Sequence, residues 1–117
     1  MSLNVSSHVE DGFAVLDLSG TLTLGPSLST LREGARKVLG TPKLFGLILR
    51  VSEVTQTDSS GLGELTVVYT LATKKGCPIW LAEASPSLKK MLEMTKLDGL
   101  LPSADTVASA KAEIMGR

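Results

Sequence analysis

Cysteine, histidine and aromatic residues are nearly absent from this chain of 117 residues. The one cysteine, Cys77, cannot close an internal disulfide, so a disulfide-stapled secreted domain is excluded. The one histidine, His8, falls on an expected edge strand, far in sequence from any nucleophile. A Ser-His-Asp triad or a metal cluster therefore has almost no material, and no catalytic, metal or cofactor residue is expected. Aromatics make up 3%, too few for a base-stacking platform. Neither sign of charge is in excess: 12 basic residues meet 12 acidic ones, which leaves no field for nucleic acid or an anionic membrane. No apolar run is long enough to cross a bilayer. Met1-Ser2-Leu3-Asn4 shows no basic region leading into an apolar one, so no signal peptide is expected and the cytoplasm is the expected location. Repeats, low-complexity segments and linkers are missing too. What remains is one domain over 1–117, with 43% hydrophobic residues and enough chain for a core.

Alternation at Leu3, Val5, Ser7 and Val9 predicts an edge strand with one buried face. Asp11-Gly12 is a hairpin turn, and Phe13–Leu18 is the next strand, with Ser19–Gly25 as a loop. Pro26 suits the first position of a helix whose inner face is Leu28, Leu31, Ala35, Val38 and Leu39, with Arg32 and its charged neighbours outside. Gly40 suits a left-handed helix end. Leu44–Leu49 is a continuous apolar strand. A polar loop ending in Thr57-Asp58-Ser59-Ser60-Gly61-Leu62-Gly63 leads from it into an apolar helix that runs to Lys74-Lys75 and stops at Gly76. Pro78–Ala82 is a short buried strand, with Cys77 and Trp80 as core residues. Ser85-Pro86 opens a third helix with Leu88, Met91, Leu92 and Thr95 inward. Leu100-Leu101 is a short final strand. Ser103–Thr106 caps a last helix through Val107, Ala108, Lys111 and Ile114. Strands separated by helices pair in parallel through right-handed crossovers. The expected fold is a single α/β domain: a mixed, mostly parallel sheet of four main strands with an antiparallel edge strand, packed with about four helices.

The stretch from Thr57 to Gly63 stands at the carboxyl end of a buried strand, where open α/β sheets place their sites. A helix start offers free N–H groups and a positive dipole end, so a phosphate on a serine here is well received. Gly61 and Gly63 leave the approach clear, although no third glycine completes a dinucleotide fingerprint and no Walker Gly-Lys-Ser/Thr is present. From the residues alone, Asp58, Ser59 and Ser60 read more readily as helix caps, which are common at helix starts.

Asp58-Ser59-Ser60-Gly61-Leu62-Gly63 resembles the Asp-Ser-[Ser/Thr]-Gly-Leu-Gly signature of the STAS family of bacterial anti-sigma factor antagonists. Ala84–Asp98 resembles that family's Ser-Pro, basic, Leu-Glu-x-[Thr/Ser]-Gly-Leu segment. The resemblance implies the same α/β architecture and a binding module without enzymatic activity. It implies phosphorylation on Ser59, and a contact surface drawn from Thr21, Thr23, Thr57, Asp58, Ser60, Gly61, Leu62 and Met94. The implied partners are an anti-sigma factor with GHKL-type serine kinase activity and a PP2C-type phosphatase. In that cycle the unphosphorylated form binds the anti-sigma factor and frees the sigma factor; phosphorylation ends the binding.

The chain departs from the family at several places. Gly20-Thr21-Leu22-Thr23 stands where members usually read Gly-Glu-[Leu/Ile]-Asp, so two acids beside the site are missing. Gln56 occupies a usually apolar position, and Arg50 replaces a polar or acidic residue. The missing acids point to a partner with different charges. They also suit the alternative of a constitutive scaffold subunit in a signalling or lipid-transport complex. A hydrolase built on Ser59 has no histidine in sequence reach.

Overall fold

The computed structural model describes residues 2–116. The elements run β1 (Leu3–Glu10), β2 (Phe13–Leu22), α1 (Thr30–Leu39), β3 (Gly46–Thr57), α2 (Ser59–Lys74), β4 (Ile79–Ala82), α3 (Pro86–Met94), β5 (Ser103–Ala104) and α4 (Val107–Met115). They form one five-stranded sheet in the order β1-β2-β3-β4-β5. The β1–β2 pair is antiparallel and the other pairs are parallel, as the alternation of strands with helices requires. Asp11 (φ 52°) and Gly12 (φ 80°) make the turn between β1 and β2, with the positive φ at both central positions that a tight hairpin favours.

The period of two in the strands sorts the core into two layers. Ala14, Leu16 and Leu18 of β2, Leu47 and Leu49 of β3, and Ile79 and Leu81 of β4 pack against α1, α2 and α3 on one face. Phe13, Val15, Ile48, Trp80 and Ala82 point to the other face, where Ala110 and Ile114 of α4 cover them. Successive right-handed crossovers in one direction put all three connecting helices on one side. α4 comes last and takes the opposite side.

Several boundaries differ from the sequence reading. The largest difference is in β3, which does not end with the apolar run but continues as strand to Thr57. Its partner β2 continues too, through Ser19–Leu22, where a loop was expected. Polar residues hold this extension because it has only one strand neighbour. β4 pairs with Leu47–Arg50 alone, and most side chains from Ser52 onward are exposed. Arg50 is therefore inside the strand, bonded to Asp17 and Glu83. In the β2–β3 ladder, Asp17 to Ser19 spans Arg50 to Glu53, and Gly20 to Thr21 spans Val54 to Gln56. The extra residues are in β3, so two bulges turn its outer half.

The helices also shift. α1 begins at Thr30, and Pro26 precedes it in a turn. Gly40 takes φ −71°, a right-handed end. Of the three candidate caps Asp58 is the one that caps α2, and Gly76 ends that segment as expected, with φ +67°. Leu88 and Leu92 are the buried residues of α3, whereas Thr95 is its exposed C-cap. Leu100-Leu101 forms no strand; Leu101 is buried, and the final strand is Ser103–Ala104. Thr106 and Ser109 close a capping box on α4, whose buried face is Ala110 and Ile114. Cys77 is buried just ahead of β4, and burial pushes its thiol up.

Candidate functional site

The outer half of β3 delivers the chain to Asp58, and α2 begins at the next residue. Asp58 holds two elements at once. Its Oδ1 accepts the Gly61 N–H at 2.9 Å, the N-cap bond of α2. Its Oδ2 accepts the Leu24 N–H at 3.1 Å, from the segment between β2 and α1. The Asp58 N–H in turn donates to Leu22 O at 3.3 Å. The Gly61 bond, then the Leu24 bond, hold the carboxyl below the usual aspartate range, because backbone donors favour the charged form. One side chain thus fixes the helix start to the loop beside it.

Gly61 has a different task from the one expected. A Cβ built there would lie 1.8 Å from Leu22 O, so glycine lets the first turn of α2 press against the end of β2. Gly63 faces open space. Only that second glycine leaves room for an approaching group.

The remaining site residues divide by exposure. Ser59 is the first helical residue of α2 and is exposed; Ser60 follows and is half-buried. No acidic residue sits in the first turn of α2, so its positive end is opposed only by the Asp58 cap. Thr23 and Thr57 are half-buried, and both line a cleft of about 410 Å³ with Asp58. Ser85, Ser87, Leu88 and Met91 of the α3 entry form its other wall. Thr21 (5% exposed), Gly61 and Leu62 are buried, so they shape the site from beneath. Met94 is 73% exposed at the far end of α3, one turn beyond Met91 of the cleft wall.

Two features escaped the sequence reading. Leu24 is 78% exposed, an apolar side chain raised beside the signature by the Asp58 bond. It was legible only as part of a loop. Glu64, in the second turn of α2, is 5% exposed and takes two hydrogen bonds from Arg32 of α1, at 2.8 and 2.6 Å. This forked pair satisfies the buried carboxylate and locks α1 to α2; the Glu64 bonds hold the Arg32 guanidinium even higher than usual. Arg32 reads as solvent-facing because nothing in sequence marks its partner. Among the described residues no group of His, Cys, Asp and Glu could hold a metal ion, and no helix is long and apolar enough to cross a membrane.

The sequence model of the STAS domain matches residues 4–110. The chain belongs to the STAS domain family. A curated relative, the anti-sigma F factor antagonist of Paenibacillus polymyxa, is 25% identical over 114 residues, 97% of each chain. Solved STAS-like structures share the fold. An anti-sigma factor antagonist from Mycobacterium paratuberculosis aligns with TM-score 0.79 and 21% identity over 97% of this chain and 95% of that one. The Bacillus cell fate determinant SpoIIAA in its phosphorylated form aligns with TM-score 0.68 and 18% identity, over 97% and 99%. In this STAS domain the helix start after β3, the Leu24 loop and the α3 entry meet around one cleft.

Proposed function

We propose that this STAS protein is an anti-sigma factor antagonist switched by phosphorylation of Ser59. The observation that carries the reading is the exposed Ser59 residue at the first position of α2, with Asp58 already occupied as the cap. The name of the Paenibacillus relative and the phosphorylated SpoIIAA neighbour support the same reading. Ser59, Asp58, Thr23, Thr57, Leu24 and Met94 form the surface offered to the partner. Ser60, Gly61, Leu62 and Thr21 shape it from below.

The partner is an anti-sigma factor that is also a GHKL-type serine kinase. Binding of the unphosphorylated form frees the sigma factor. The Ser59 hydroxyl oxygen then attacks the γ-phosphorus of ATP. A new O–P bond forms, the bond to the β-phosphate oxygen breaks, ADP leaves, and the hydroxyl proton is lost. The product carries about −1.5 to −2 charge. At the solvated helix start that charge is tolerated, because N–H groups and the dipole face it. Inside a closed interface it must be stripped of water, which is unfavourable. A PP2C-type phosphatase hydrolyses the ester and restores the binding form. The fold is unchanged through the cycle.

The test is calorimetric titration of the protein, Ser59→Ala and Ser59→Asp against a candidate anti-sigma factor of the GHKL serine-kinase type. Ser59→Ala should bind like the parent and accept no phosphate, and Ser59→Asp should bind more weakly. Equal binding by all three, with phosphate mapped to Ser59, would overturn the switch and leave the scaffold role.

A further inference from the structure

Two long stretches of strand edge, the outer half of β3 and the outer side of β1, differ in one respect. The outer half of β3, which projects past β4, is turned by two bulges, a device that blunts an edge against further pairing. The outer edge of β1 has no such protection. Its pairing with β2 runs unbroken from Leu3↔Gly20 to Glu10↔Phe13, and it contains no proline and no lysine. An unbroken edge of this length is a template for another strand.

The backbone bonds show which groups are free. In an antiparallel ladder a residue's N–H and C=O point to the same side, and successive residues alternate. Ser2 O accepts the Thr21 N–H, so the even positions of β1 face β2. The odd positions face outward. Of these, Leu3 is already used at its N–H, which donates to Ser27 Oγ at 2.9 Å. Among the described residues no hydrogen bond engages the outward groups of Val5, Ser7 and Val9.

We propose that the outer edge of β1 pairs with β1 of a second copy of this chain, antiparallel about a two-fold axis at Ser7. In that register Ser7 faces Ser7 of the second copy and Val5 faces its Val9. Every outward N–H and C=O of Val5, Ser7 and Val9 then finds a partner, and the occupied Leu3 is not needed. A register centred on Ser6 would set Leu3 against Val9, and the Ser27 bond would have to break. The side chains agree with the choice. Val9, 46% exposed in the single chain, gains an apolar neighbour across the seam. His8 meets Ser6, and Glu10 meets Asn4, so no like charges are opposed. The zero formal net charge adds no repulsion between copies. The two sheets join into one, with the Ser59 surfaces left free. A single strand seam is a small interface, so the dimer is concentration-dependent.

Sedimentation velocity over a concentration series tests this. The mass should climb from the 12.3 kDa of one chain toward twice that value. Ser7→Pro removes only an outward N–H, which an edge strand tolerates, and should hold the mass at one chain with an unchanged circular dichroism spectrum. Should that variant unfold, Val9→Lys at its exposed position serves in its place and should also stay single. Register is read by mild oxidation. Ser7→Cys should cross-link between copies, since directly opposed residues lie within disulfide reach, and Ser6→Cys should not. A wild-type mass of one chain at every concentration, a folded Ser7→Pro or Val9→Lys that still pairs, or cross-linking through Ser6→Cys instead of Ser7→Cys would each overturn the proposal.

Discussion

From Leu47 to Arg50, β3 lies between two parallel strands, and Leu47, Ile48 and Leu49 are fully buried between helices on both faces. From Ser52 to Thr57 it has one strand neighbour, two bulges and mostly exposed side chains. The inner half holds the domain together, and the outer half carries Asp58 and Ser59 to the surface. Changes in the inner half should therefore be read in stability, and changes beyond it in binding. The junction where α2 presses on β2 belongs to both.

The largest expected effect is at that junction. Gly61→Ala would set a methyl group 1.8 Å from Leu22 O, a clash with backbone that no rotamer relieves. It should cost about 4 kcal/mol or more, the range reserved for strain and overpacking. A chemical denaturation midpoint close to the parent's would show that the helix start does not press on β2.

Next comes the contrast between the halves of β3. Leu49→Ala, at 0% exposure, should cost about 2–5 kcal/mol, as cavity-forming changes do. Thr55→Ala, in the outer half, loses only the exposed bond from its hydroxyl to Gly20 O and should cost about 0.5–1.5 kcal/mol. Equal losses in urea unfolding would erase the distinction between the halves.

The same division decides how much was legible in sequence. The apolar run expected as a strand over Leu44–Leu49, the Asp11-Gly12 turn and the Ser85-Pro86 cap carry their physics locally, and the structure places the turn and the cap as expected and starts the strand two residues late, at Gly46. The outer half of β3 is polar because solvent covers one edge, so its composition matches that of a loop. Glu64 is hidden for the opposite reason: a charged residue reads as exposed until Arg32, from another helix, is beside it. Within the candidate site, Asp58 as a cap was readable, but its second bond to Leu24 joins residues 34 positions apart. Gly61 looked like space for a ligand, and is space for Leu22.

A smaller effect separates Asp58 from its neighbours by pH. Its folded carboxyl titrates below the ordinary value of 3.8. The stabilisation is therefore present above that value and lost as pH falls through the lower folded value. Asp58→Ala should melt below the parent at neutral pH, and the gap should close in strong acid. A gap that is constant with pH would show that the carboxylate bonds to Gly61 and Leu24 contribute nothing. Smallest of all, Ser59→Ala should shift stability within the roughly 0.5 kcal/mol of an ordinary surface site. A larger loss in thermal melting would mean that the hydroxyl supports the helix start instead of standing free.

Mapping the phosphate tests the central claim most directly. The protein is incubated with its kinase and ATP, digested, and sequenced by fragmentation in the mass spectrometer. The account predicts one phosphate, on Ser59, the exposed first residue of α2, with none on half-buried Ser60. Phosphate on Ser60, or on neither serine while the kinase is active on another substrate, would contradict it.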